Sequence, residues 1–153
     1  MATIEDEIRD GVREHGYHVV IVQAEGDDPA YGFTLGLCKS HGHPELVLFG
    51  LDDGRQRGAI HELLDSAASE VVEGRRFTAG DRVDDLVDDY AILFEAVHPS
   101  HHATWLMFAD RFMAGEELQC LQLVWPDRAG RYPADEEFDA TLAPLQPRLA
   151  VPE

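Results

Sequence analysis

Apolar residues return along this chain with two periods, and each period predicts an element. Ile4, Ile8 and Val12 are spaced i, i+4, i+8. They predict an N-terminal helix within residues 1–15, its stripe turned inward, capped by Thr3 and ended by Gly16. The β-branched run YHVVIVQAE (17–25) predicts a strand. YGFTLGLC (31–38) predicts a second, with Tyr31, Phe33, Leu35 and Leu37 on one face and Gly32, Thr34, Gly36 and Cys38 on the other. Glycines inside a strand imply a close neighbour on the bare face, either a packed helix or a flat ligand. ELVLFGL (45–51) is apolar on both faces, as a covered central strand would be.

Further along, Ile60, Leu63, Leu64, Ala67, Val71 and Val72 give a helical period closed by Gly74. RRFTAGDRV (75–83) predicts a short strand with a turn at residues 79–81, and YAILFEAV (90–97) and LQCLQLVWP (118–126) predict two more strands. Between them, residues 98–115 predict a helix with Ser100 as N-cap and Gly115 as its stop. The tail 134–153, punctuated by Pro144, Pro147 and Pro152, predicts a strap without regular structure. Strands outnumber helices and several follow one another directly. The expectation is one α+β domain over residues 1–153: a mainly antiparallel sheet or partly closed barrel flanked by about three helices. A doubly wound parallel sheet would need more crossovers.

Composition narrows the function classes. A chain of 153 residues that is 44% hydrophobic and 27% charged can bury a core. No apolar run approaches the roughly 20 residues of a bilayer span, and the acidic start MATIEDEIRD is unlike a signal peptide, so a cytoplasmic protein without a membrane partner is expected. Cys38 and Cys120 are too few for a disulfide framework. With 12 Lys+Arg against 30 Asp+Glu, the net charge of −18 repels phosphate backbones and argues against nucleic acid. It serves solubility, or it forms an acidic face for a basic protein partner, as in an inhibitor or immunity protein.

Candidate chemistry gathers in two loops. In CKSHGHP, Pro44 holds His43 extended, so His41 and His43 could project to one side and hold a transition metal. The same imidazoles could instead bond backbone groups across a turn. In HPSHH, His98, His101 and His102 surround a helix start, where the neutral imidazole that a ligand or general base needs is favoured. Convergence of the two loops would give a pocket with His41, His43, His98 and His102 as metal ligands and His43 or His101 as an acid–base group. HELLD (61–65) resembles the zinc-protease motif, but Asp65 stands in the second His position and the helix buries its other stripe. Glu95, inside AILFEAV, is a catalytic candidate if it faces the core and unremarkable if it faces water. Arg128 and Arg131, in a turn favoured by Asp127 and Gly130, could bind an acidic group or pair with surface acids. Gly32 and Gly36 could admit a cofactor that Trp105 walls. Phosphate-loop, G-x-S-x-G, C-x-x-C and dinucleotide signatures are absent.

The segments YGFTLGL, GHPELVLFGL, VVEGRRFTAGD and LQLVWPDRAGRYP together resemble a bacterial family known as domain of unknown function 4262, over about residues 16–148. The resemblance implies a compact cytosolic bacterial protein and brings no activity, cofactor or catalytic residue with it. After Tyr132-Pro133, where that family's pattern has a Trp and a Pro-Gly pair, this chain has Ala134 and DEEFD. A Gly-bearing strand followed by a buried one, with a final G-x-Y turn, is also similar to flavin-binding split barrels, which implies flavin as a possible cofactor. The combined expectation is a protein that binds a small molecule, metal or cofactor in a His-lined pocket, with or without catalysis. The alternative is an acidic interaction module with no chemistry.

Overall fold

The structure is a computed structural model, described here for residues 3–51 and 58–152. Among these, β1 (His18–Val22), β2 (Tyr31–Leu35), β3 (Glu45–Phe49), β4 (Arg82–Val83), β5 (Ile92–Ala96) and β6 (Cys120–Val124) form one sheet in the order β1-β2-β3-β6-β5-β4. Neighbours run antiparallel except β3 and β6, which are parallel. The fold is α+β in a single domain. The sheet is mixed and open, with β1 and β4 at its edges, so it does not close into a barrel.

Five α-helical segments are described: α1 (Ile4–His15), α2 (Leu37–His41), α3 (Ala59–Val72), α4 (His102–Trp105) and α5 (Met107–Met113). A capping box opens α1: the Asp6 N–H donates to Thr3 Oγ1 at 3.1 Å and the Thr3 N–H to Asp6 Oδ2 at 3.1 Å. Ile8 is buried, but Ile4, expected on the same inward stripe, is 53% exposed. The single helix expected over residues 98–115 is broken into a 3₁₀ turn (Pro99–His101), α4 and α5. Its cap is His98, whose Nδ1 accepts the Ser100 N–H at 3.2 Å, so Ser100 donates to the cap instead of being it. Between α4 and α5 the fully buried Leu106 leaves helical geometry.

Strand alternation sends side chains to two cores. On one face α3 lays Ile60, Leu64, Ala67 and Val71 over Leu46, Leu48, Phe94 and Leu123. On the other, Phe33, Leu35, Val47 and Phe49 meet Ile8, Leu106, Ala109, Met113 and Leu149. β3 and β6 are buried throughout, as strands covered on both faces must be. The bare face of β2 exists for α3: a Cβ at Gly32 would stand 2.7 Å from Ile60 Cγ2 and 3.0 Å from Leu64 Cδ1. The neighbour that Gly32 admits is therefore a helix, and a flat ligand has no room there. Among the described residues, no helix is long and apolar enough to cross a membrane.

The tail is sewn to β6. Gln146 bonds both backbone groups of Trp125, at 2.8 and 2.9 Å, and Gln122 bonds Pro147 O at 2.7 Å and the Leu149 N–H at 3.1 Å. Gly50, at φ +76°, lets the Leu145 carbonyl rest where a Cβ would be. Gly50→Ala combines a left-handed backbone with that overlap and is expected to lower stability by about 2–3 kcal/mol in urea unfolding. A change below a few tenths of a kcal/mol would show that the tail does not press on Gly50.

Candidate functional site

At the end of β2 the chain does not run on to Cys38. It turns at Gly36 and coils into α2, because the carboxylate of Glu45 waits there. Glu45 is 1% exposed and accepts four hydrogen bonds: from Thr34 Oγ1 at 2.9 Å and from the N–H groups of Gly36, Leu37 and Cys38 at 3.0, 3.1 and 3.2 Å. Thr34 Oγ1 in turn accepts the Leu46 N–H at 2.9 Å. The free N–H groups of a helix start are thus satisfied by a side chain from the next strand. Burial pushes the Glu45 carboxyl up to about 7, with the four donors pulling against it.

His43 is equally engaged. Its Nε2 accepts the Phe77 N–H at 3.0 Å and its Nδ1 donates to Pro44 O at 2.8 Å, so the ring is neutral and both nitrogens are occupied. Burial holds its pKa below the ordinary value. His41, expected beside it, lies in α2 with its ring against Gly16 at the end of α1. His101 bonds the Val151 carbonyl at 2.6 Å, and His98 is taken up by Ser100. His102 is half-buried, its pKa lowered by burial. The two histidine loops lie at the same end of the sheet, yet their imidazoles turn to separate neighbours. Among the described residues, no group of three or more His, Cys, Asp or Glu side chains is placed to hold a metal ion.

The remaining candidates are dispersed. A Cβ at Gly36 would meet Val12 Cγ2 at 2.9 Å, so that position is filled by α1. Trp105 packs edge-on against Tyr31 and Phe49, at 5.3 and 5.1 Å between ring centres. Glu95 is only half-buried. Arg131 pairs with Asp127 at 3.4 Å and Glu137 at 3.2 Å, and Arg128 is exposed. Asp127 builds the turn by accepting N–H bonds from Ala129, Arg131 and Asp139 at 2.9, 2.9 and 3.0 Å.

Several clefts among the described residues bring chemistry-bearing side chains together. One, of about 150 Å³, is lined by Cys38, Gly42, His43, Met113, Glu117 and Gln119. Burial raises the Cys38 pKa, which disfavours the nucleophilic thiolate there. A second, of about 380 Å³, is lined by His15, Tyr17, His18, Val19, His61 and Asp65. There Tyr17 donates to Asp65 at 2.5 Å, and burial lowers the pKa of His18. A third, of about 250 Å³, lies between α1 and α5 and is lined mainly by apolar surface. Leu35 and Ile8 form its floor, Phe108 and Phe112 one wall, and Glu5, Arg9 and Arg111 its charged rim.

Two matching triplets build this groove. Glu5, Ile8 and Arg9 are spaced i, i+3, i+4 on α1, and Phe108, Arg111 and Phe112 have the same spacing on α5, so each triplet shares one helix face. Arg9 lies 3.7 Å from Asp6, an exposed and weak pair. Among the described residues, Glu5 and Arg111 form no ion pair, with each other or elsewhere. None of the six was singled out by sequence as a site residue. Their one local signal is a cation set among aromatics in FADRF, beside an i, i+4 Glu–Arg pair in IEDEIR.

A family model described as "Domain of unknown function (DUF4262)" matches residues 11–139. No curated protein and no solved structure gives a significant match.

The raised carboxyl of Glu45 has a signed consequence. Its folded-state value lies above the ordinary 4.5, so its contribution to stability is full below that pH and is lost as pH rises through about 7. His18, His43 and His102 act oppositely: their pKa values are lowered, so their contribution is present above the ordinary 6.5 and lost as pH falls. The difference between wild type and Glu45→Gln isolates the carboxyl. The variant replaces an oxygen that accepts in either protonation state with an NH2 that cannot, and is expected to lose on the order of 3 kcal/mol near pH 5. That gap should narrow towards about pH 7 in denaturant unfolding. A gap that widens with pH would mean that the fold prefers the ionised form.

Proposed function

The chain belongs to this family of domains of unknown function, and from that premise we propose that it binds a small organic anion in the groove between α1 and α5. The ligand has an apolar body and a carboxylate. One observation carries this reading: Arg9 and Arg111 line a mainly apolar pocket in a chain whose net charge is −18. Cations are scarce here, and two of them line the same pocket as Ile8, Leu35, Phe108 and Phe112. A guanidinium beside an apolar surface suits a carboxylate, because its fork matches the two oxygens and the surface takes the ligand's apolar body. The volume, about 250 Å³, lies below the range of drug-sized ligand pockets and suits a body of one ring or a short branched chain.

Bonds that His43, His98 and His101 already make favour this groove over a His-lined pocket as the seat of binding. The other reading, an acidic module that grips a basic protein, rests on net charge alone and makes no use of the groove.

Calorimetric titration of the full chain with 3-phenylpropionate is the test. Saturable binding at one site is expected. Arg111→Ala, an exposed position, should weaken it about tenfold while leaving the melting temperature in place. Absence of saturable binding, or binding indifferent to both Arg9→Ala and Arg111→Ala, would overturn the assignment.

A further inference from the structure

The groove carries more than two cations. Its rim holds Glu5 as well, one turn before Arg9 on the same face of α1. Glu5 lines the same pocket as the two guanidinia, yet it pairs with neither Arg9 nor Arg111 among the described residues, and Arg9 lies 3.7 Å from Asp6 instead. The rim therefore presents both signs of charge over one apolar floor. An anion alone would use the guanidinia and leave Glu5 facing it as a repulsive neighbour.

Resting on the reading of the groove as an anion site, we propose that its ligand class is the free α-amino acid with a large apolar side chain. Arg9 and Arg111 take the α-carboxylate, Glu5 takes the α-ammonium, and the side chain enters between Phe108, Phe112, Ile8 and Leu35. The three functions of such a ligand diverge from one carbon. The groove offers three matching surfaces: two cations, one anion and an apolar floor with aromatic walls. Other ligand chemistries meet only part of this set. A fatty acid lacks the cation for Glu5, an amine lacks the anion for the arginines, and a polar amino acid leaves the floor uncovered.

Three probes separate this proposal from the one beneath it: L-phenylalanine, 3-phenylpropionate, which lacks the ammonium, and 2-phenylethylamine, which lacks the carboxylate. Titrated into the full chain, L-phenylalanine is expected to bind about tenfold more tightly than 3-phenylpropionate, and 2-phenylethylamine more weakly than either. Glu5→Gln, on the exposed face of α1, should remove the advantage of L-phenylalanine and leave 3-phenylpropionate binding as well as before or better. If 3-phenylpropionate binds as tightly as L-phenylalanine, or if Glu5→Gln leaves their ratio unchanged, the amino-acid class is overturned while the anion site stands. If none of the three binds, both proposals fail.

Discussion

The carboxylate of Glu45 sits at the junction of β2, β3 and α2, and one end of the sheet is arranged around it. A charge-bearing group with 1% exposure is costly unless its oxygens are occupied. Here four donors occupy them, three of which are consecutive backbone N–H groups presented by the left-handed turn at Gly36 and the start of α2. The bond network therefore selects the conformation of residues 36–38, and Leu37 is driven into the core beneath α3 as a result. Past α2, His43 repeats the device by accepting the Phe77 N–H, next to the stacked rings of Phe77 and Phe94, 4.5 Å apart. Two buried polar side chains thus tie the loop to three parts of the fold.

That junction also sets the groove. Gly36 lies under the methyls of Val12, and the His41 ring lies against Gly16, so α2 fixes where the end of α1 rests. Leu35, the residue before the turn, is part of the groove's floor. On the opposite side Leu106, Ala109 and Met113 fasten α5 to the second core and leave Phe108, Arg111 and Phe112 on the free face. The groove is what remains of two helix faces once packing has used the others.

The parts of this architecture that repeat with a period were legible in the sequence. The stripe of α3, the division of faces in β2 and the covered run of β3 are local patterns, and each reports burial directly. What period cannot report is which polar residue meets which backbone group. Glu45 and Glu95 both stand in apolar strands, and sequence favoured Glu95 as the candidate for an unusual environment. Burial reversed that order, because β3 lies inside the sheet beside the turn into α2, whereas Glu95 is only half covered. The short α2 escaped for the same reason: its cap comes from a later strand, not from the residue before it. The groove escaped because its two triplets lie about a hundred positions apart, too far for any spacing rule to join them.

Net charge then acts on the groove from a distance. At −18 the surface field lowers the local concentration of any anion, and salt relieves this only beyond roughly a Debye length of about 8 Å. The guanidinia of Arg9 and Arg111 are exposed and act at contact, so in the proposed site they would govern residence more than encounter. A simple carboxylate must approach against the field to reach them. A zwitterion carries no net charge, so it meets no such opposition, and in the proposed site each of its two fixed poles would meet an opposite charge at the rim, in Glu5 and the arginines. In the proposed site the acidic surface and the mixed rim would act together: the field disfavours bare anions at long range, and the rim favours a ligand that brings its own counter-charge.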